Sequence, residues 1–386
     1  MRRRISAAQF MKERSRMNEI NFTIPCLFGL EGIVGNELRH LGMRDVAPEN
    51  GRVHFSGSME DLVRANLWVR TGERVLIRLG TFRADTFDAL FEGTKALPWE
   101  MWIPKDGAFP VKGHALQSKL FSVPDCQKIV KKAIVERLKS VYHVNWLEET
   151  GAKYSVQFSI MKDEAVLYLD TSGAGLHKRG YRANANDAPL RETLAAAMVI
   201  LSRYRGREYF CDPFCGSGTI LIEAAMIAQN RAPGLYRNFA AENWGCVPKE
   251  LWTQSKAEAK EKIFCRDFAL WGGDVDARAL NTARSNACKA GVAQYIKFEQ
   301  ADAKNFRPTR EEGIVMCNPP YGERMMDLKG AEALYRDFGK TMLGNEKFKL
   351  FLISSHPEFE RFYGKRATKK RKLYNGMIKC EFYQYY

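Results

Sequence analysis

Two short stretches, far apart in the chain, carry residues suited to holding ligands. Asp212-Pro-Phe-Cys-Gly-Ser-Gly-Thr219 follows the apolar run Glu208-Tyr-Phe-Cys211 and precedes a second apolar run over 220–228. That order predicts a buried strand, a glycine turn and a helix, which together make a nucleotide-type pocket at the carboxyl edge of a parallel sheet. Gly216 and Gly218 let the main chain approach a ligand where a Cβ would collide. No Lys-Ser/Thr pair follows the glycines, which argues against a triphosphate-binding P-loop. The second stretch, Asn318-Pro-Pro-Tyr321, follows Gly313-Ile-Val-Met-Cys317, another apolar run of strand length. Its two prolines fix a rigid turn. The turn displays an amide and an aromatic ring at a strand end, groups that can accept from an amine and stack on a base. Taken alone, Asn-Pro-Pro is also an ordinary turn, and Asp212 an ordinary turn former.

As a pair, the two motifs resemble those of class I S-adenosylmethionine-dependent methyltransferases that modify exocyclic amino groups of bases. The fuller text, with Asn-Pro-Pro-Tyr-Gly-Glu-Arg324, resembles the THUMP-containing guanine-N2 methyltransferases of large-subunit ribosomal RNA. Such chains often carry the label N6-adenine-specific DNA methylase. The resemblance runs from about Met17 onward and implies S-adenosylmethionine as cofactor. On it, Asp212, Phe214, Gly216, Ser217, Gly218 and Thr219 line the methionine part, with Asp212 reaching the α-amino group directly or through water. Trp271-Gly-Gly-Asp-Val-Asp276 ends the next predicted strand, where a carboxylate can accept both hydroxyl protons of a ribose. Asp274 matches the family position; Asp276 is expected to cap the following helix. Asp302 is expected to accept from the adenine amine.

The resemblance makes Asn318, Pro319, Pro320 and Tyr321 the catalytic set, with Asn318 also on the cofactor side. An exocyclic amine is a poor nucleophile because its lone pair is delocalised into the ring. Hydrogen bonds to the Asn318 side-chain oxygen and the Pro319 carbonyl would draw it toward tetrahedral geometry. The freed lone pair could then attack the sulfonium methyl in line. Tyr321 is expected to stack on the base, which must be unpaired or flipped out to reach the pocket. Cys215 has no histidine base beside it and is not expected to act as a nucleophile.

Positioning these turns calls for an α/β fold. Strands at 208–212, 268–274, 295–299, 313–317 and 348–353 alternate with helices at 190–204, 218–229, 277–290 and 331–342. This predicts a parallel sheet with helices on both faces; the resemblance implies that it is a Rossmann-like class I methyltransferase domain, over 188–386. Asp187 and Pro189 suit the start of its first helix. Asn375-Gly376 predicts a type I′ turn, giving the terminal antiparallel hairpin of that fold. An insertion at 231–264, with Trp244 and Trp252, is long enough to suggest a functional connection. Ahead of it, strand–helix–strand–helix–strand over 18–82 reads as an α+β ferredoxin-like domain. Residues 83–170 hold a helix at 87–96, a strand at 109–114, an amphipathic helix at 125–138 and closing strands at 154–160 and 164–170. That block resembles a THUMP domain, whose family role is RNA binding. Residues 171–187 form a basic linker, and 1–17 read as a disordered basic tail.

The chain has 386 residues, 45% of them hydrophobic and 27% charged, enough for two or three soluble domains. No apolar run approaches the length of a membrane span. Of the net charge of +15, the first sixteen residues supply +5. The remainder favours a polyanionic partner, with a basic surface kept for solubility as the alternative. The expected RNA contacts are Lys112, Lys128, Lys131 and Lys132 in the THUMP-like block, Lys178, Arg179 and Arg182 in the linker, and Lys370 and Arg371 in the hairpin. Nine cysteines without a Cys-x-x-Cys pair suit a reducing cytoplasm. The six histidines lack metal-ligand spacing, so no metal is expected. The leading expectation is a cytoplasmic guanine-N2 methyltransferase of ribosomal RNA, in the single-enzyme form without a second fused methyltransferase. Two alternatives stay open: another nucleic-acid amine, such as tRNA guanine N2 or adenine N6, and a non-catalytic RNA-binding assembly factor.

Overall fold

The computed structural model describes residues 19–182, 190–264, 267–321 and 327–386. The basic tail, the helix start at Asp187 and Pro189, and Gly322 to Arg324 lie outside the described residues.

The N-terminal half contains β1 (Ile20–Pro25), α1 (Glu31–His40), β2 (Arg44–Glu49), β3 (Arg52–Gly57), α2 (Met59–Trp68) and β4 (Leu76–Arg83). It continues with α3 (Phe87–Ala96), β5 (Val111–Leu116), α4 (Val123–Tyr142), β6 (Val156–Met161) and β7 (Glu164–Asp170). Local chemistry sets the helix starts. Ser58 and Asp61 form a reciprocal capping box on α2, and Thr86 accepts from the Ala89 amide to start α3. The strands form one seven-stranded sheet in the order β2-β3-β1-β4-β7-β6-β5. The ferredoxin-like and THUMP-like blocks therefore share a sheet, joined where β4 pairs antiparallel with β7. Strand β2 was not expected. It is a largely exposed edge strand with a proline and no apolar alternation, so it carries no sequence signal.

The C-terminal half runs α5 (Glu192–Leu201), β8 (Phe210–Asp212), α6 (Thr219–Ala228), α7 (Lys249–Glu261), β9 (Leu270–Asp274), α8 (Ala277–Lys289) and β10 (Ile296–Gln300). Then follow β11 (Gly313–Cys317), α9 (Leu328–Leu343), β12 (Phe348–Ser354), α10 (Phe359–Tyr363), β13 (Lys369–Asn375) and β14 (Ile378–Tyr385). The sheet order is β10-β9-β8-β11-β12-β14-β13, parallel except for the terminal hairpin. From β8 the chain steps outward through β9 and β10, then returns to β8's other side as β11. The switch point, where α/β sheets open a ligand crevice, lies between β8 and β11.

Three expectations need correction. Helix α5 stops at Leu201 rather than Tyr204, because Arg203 takes a left-handed conformation (φ 64°). The hairpin turn is Gly376-Met377, since Asn375 pairs with Ile378; Gly376 (φ 66°) takes the first turn position, as in a type II′ turn. The tryptophans of the insertion serve packing. Trp244 stacks on Tyr154 at 4.8 Å and donates to the Lys153 carbonyl at 3.0 Å, while Trp252 stacks on Phe239 at 5.2 Å. The insertion thereby ties the two halves together, and one apolar cluster runs through both.

Candidate active site

The glycine turn is assembled by main-chain bonds to the neighbouring strand. The Cys215 amide donates to the Gly273 carbonyl at 2.9 Å, and the Gly218 amide closes the turn onto the Cys215 carbonyl at 2.8 Å. Gly218 starts α6 with φ 81°, and a Cβ there would lie 3.1 Å from the Ala283 Cβ. Only glycine meets both demands without strain. Gly216 differs: among the described residues, no atom lies within 4 Å of where its Cβ would stand. The turn thus leaves open space on its outer side, as a ligand cradle requires.

Two carboxylates serve this cradle. Asp212, 1% exposed at the end of β8, accepts from the Phe214 amide at 3.0 Å. Burial first, and then the Asp274 charge, push its carboxyl well above the ordinary value. Asp274 ends β9 and accepts from the Gly216 amide at 2.9 Å through one oxygen and from the Asp276 amide at 2.9 Å through the other. Asp276 caps α8 by accepting from the Arg278 amide, as its sequence position predicts. A buried acid with one neutral donor among the described residues and a like-charged neighbour suits a cationic group such as the ammonium of an amino acid.

The other expected residues around the turn divide. Phe214 is half-buried against Phe338, edge-on at 5.1 Å. Thr219 is buried and accepts from Arg182 at 2.8 Å, with Ser217 3.4 Å away. Asp302 follows β10 but is engaged with Lys304, accepting from its amide at 3.0 Å and pairing with its ammonium at 3.4 Å. Burial pushes the Cys215 thiol far up, consistent with an inert side chain.

The Asn-Pro-Pro-Tyr turn leaves β11, the parallel neighbour of β8, in a register that pairs Val315 with Cys211. Both turns therefore emerge from the carboxyl ends of adjacent strands, roughly 4.8 Å apart at the sheet. Asn318 is half-buried, and its side-chain oxygen accepts from the Tyr321 hydroxyl. The Tyr335 hydroxyl donates to the Pro320 carbonyl at 2.6 Å, fixing the turn from α9. Tyr321 does not stand free as a stacking face: it is half-buried against the core, with Asn375 and Cys380 of the hairpin near its hydroxyl.

Three positioning residues were missed. Asn286 is 1% exposed and donates to the Ser217 carbonyl at 3.1 Å. A polar residue among the buried positions Leu280, Ala283 and Ala287 of α8 was a readable signal. Tyr335 and Asn375 gave none, because one read as an apolar helix position and the other as a turn.

The basic residues expected to contact RNA fall into two groups. Lys112, Lys128, Lys132, Lys178 and Lys370 are exposed. Lys370 also pairs with Glu360 at 2.7 Å. Lys131 is occupied, bonded to Glu149 and 3.4 Å from the Phe109 ring centroid. Arg179 is a correction: it is buried, pairs with Glu223 at 3.2 Å and donates to the Arg70 carbonyl at 2.6 Å. Arg182 is likewise turned inward, to Glu192 at 3.2 Å and to Thr219. Arg371 donates to the Gly29 carbonyl at 2.6 Å. The linker arginines thus brace the back of the glycine turn and α6 instead of facing solvent.

Comparison with known proteins places this geometry. Residues 179–384 match the family described as "RMKL-like, methyltransferase domain", residues 21–76 the "RlmL ferredoxin-like domain" and residues 84–170 the "THUMP domain". A Bacillus subtilis protein named "Putative RNA methyltransferase YpsC" is 46% identical, over 93% of this chain and 94% of its own length. The "Ribosomal RNA large subunit methyltransferase K/L" of Psychromonas ingrahamii is 34% identical over 94% of this chain, which spans 49% of that protein. Two crystal structures superpose closely. One, titled a predicted N6-adenine-specific DNA methylase from Listeria monocytogenes, is 45% identical with a TM-score of 0.92, covering 100% of this chain and 99% of its own. The other, titled "SMU.472, a putative methyltransferase complexed with SAH", is 40% identical with a TM-score of 0.91, covering 96% of this chain and 98% of its own.

Proposed function

This chain belongs to the RMKL-like methyltransferase family, and from that premise we propose that it methylates the N2 amine of a guanine in large-subunit ribosomal RNA. Its cofactor is S-adenosylmethionine, and the residues fit it. Asp212 would face the ammonium, Asp274 the ribose, and the open side of Gly216 the methionine chain. When bound, the cofactor supplies an electrophilic methyl on a sulfonium sulfur; transfer to nitrogen leaves the thioether and releases one proton.

The single observation that carries the reading is the adjacency of the two turns at the β8–β11 switch point. Asn318 offers an amide oxygen beside the cradle. An incoming amine takes this acceptor over from the Tyr321 hydroxyl, which Asn375 can then hold. The protein needs no strong base, because the amine proton becomes acidic only once nitrogen is alkylated. Its contribution is placement and polarisation, effects that reach ~7–11 kcal/mol when the reacting atoms are well aligned. RNA as substrate class is supported by the THUMP domain and by the names of the relatives. Ribosomal RNA rests on the K/L relative alone. The free, mostly buried thiols suit a reducing cytoplasm.

The Listeria structure's title favours a second reading, adenine N6 in DNA, since Asn318 would accept from either amine. Comparing ribosomal RNA and genomic DNA from cells with and without the gene, by mass spectrometry of nuclease digests, decides between them. Loss of one N2-methylguanine supports the proposal; unchanged RNA methylation with lost N6-methyladenine in DNA supports the alternative.

A further inference from the structure

Beside the target turn, where the C-terminal hairpin meets the N-terminal half, the Phe28 ring stands 57% exposed on the loop between β1 and α1. The ring is held in place. Gly51 backs it so closely that an added Cβ would come within 3.3 Å. Tyr374 of β13 meets it edge-on, with centroids 6.2 Å apart and planes at 64°. The amides of Gly29 and Gly51 each donate to Glu31 at 2.9 Å, one to each oxygen. One carboxylate thus ties the loop carrying Phe28 to the β2–β3 turn behind it. Arg371 pins the same loop to β13 through the Gly29 carbonyl.

The surroundings identify what covers this ring. Lys379 is the cross-strand neighbour of Tyr374, and Lys372 lies two residues along the same face; both are exposed. Asn375, the residue after Tyr374, lies near Tyr321 of the target turn. Successive strand residues point to opposite faces, so the Phe28–Tyr374 surface lies on the face of β13 opposite the Asn375 side chain that approaches Tyr321. A backed aromatic face flanked by ammonium groups matches the π-face and anionic backbone of an unpaired nucleotide. An apolar protein partner would have to bury both lysines unpaired. We propose that Phe28 and Tyr374 form a stacking platform for an unpaired nucleotide flanking the methylated base, with Lys372 and Lys379 at its phosphates. This rests on the RNA reading given under Proposed function.

Fluorescence anisotropy of the full chain with a fluorescein-labelled oligoadenylate RNA tests it. Phe28→Ala should weaken binding roughly 5- to 150-fold, the loss of one base–aromatic stack of ~1–3 kcal/mol. Phe28→Trp should restore it. The affinity of both variants for S-adenosylhomocysteine, measured by calorimetry, should match the unsubstituted protein and so verify the fold. RNA affinity unchanged in Phe28→Ala overturns the platform and leaves RNA methylation standing. Failure of Phe28→Trp to restore binding also overturns it, because the ring would then serve only packing. If the unsubstituted protein neither binds nor methylates any RNA, the substrate reading fails and the platform with it.

Discussion

Asp212→Asn should weaken cofactor binding while sparing, or even raising, the stability of the free protein. The substitution removes a charge with almost no change in shape, and an asparagine oxygen can keep the bond from the Phe214 amide. In the free protein the charge is held at a cost. Asp212 is 1% exposed, and burial, followed by Asp274, raises its pKa well above the ordinary value. A carboxyl whose folded pKa lies above its unfolded one contributes stability in acid and loses it as pH rises through the folded pKa. At pH 8 the raised pKa makes Asp212 a liability that asparagine removes; in acid, where both side chains are neutral, the two proteins should melt alike. Binding runs the other way. A hydrogen bond between the cofactor ammonium and an ionised partner is worth ~1.5–3 kcal/mol, so the Kd for S-adenosylhomocysteine should rise roughly 10- to 150-fold. Calorimetry gives the Kd, and thermal melts at acid and alkaline pH give the stability. An unchanged Kd, or a variant that melts lower at pH 8 than the parent, would refute the reasoning.

The same linkage predicts that cofactor binding expels a proton wherever Asp212 is still protonated; binding enthalpies in buffers of different ionisation enthalpy should differ accordingly, and identical enthalpies would contradict it. Asn318→Ala removes the amine acceptor and should lower kcat about 10²–10³-fold, ~2.7–4 kcal/mol, with a smaller effect on cofactor affinity in single-turnover and binding assays. Arg179→Leu strands the fully buried Glu223 and should cost ~3–5 kcal/mol in denaturant unfolding, most of it recovered when Glu223→Leu is added.

Much of the architecture was legible because its signals are local. The glycine turn, the double proline and the apolar strands at 210–212, 270–274 and 313–317 each depend on their own residues. Asp276 could be read as a cap for the same reason. What could not be read is long-range. Whether Arg179 faces RNA or Glu223 depends on a partner 44 residues away, and a basic linker looks the same in either case. The single sheet shared by the two N-terminal blocks arises from pairing between β4 and β7, far apart in sequence. Tyr321 illustrates the limit within the site. Its place beside Asn318 was plain from the motif, but its burial depends on the hairpin at Asn375 and Cys380.

The central claim is that two turns on adjacent strands bring an RNA exocyclic amine to the methyl donor. Incubating the purified protein with large-subunit ribosomal RNA and methyl-labelled S-adenosylmethionine, then digesting to nucleosides for mass spectrometry, tests it most directly. Label in N2-methylguanosine, abolished by Asn318→Ala, is the predicted result. Label on a ring carbon or ribose oxygen, or equal labelling by the Asn318→Ala variant, would contradict it.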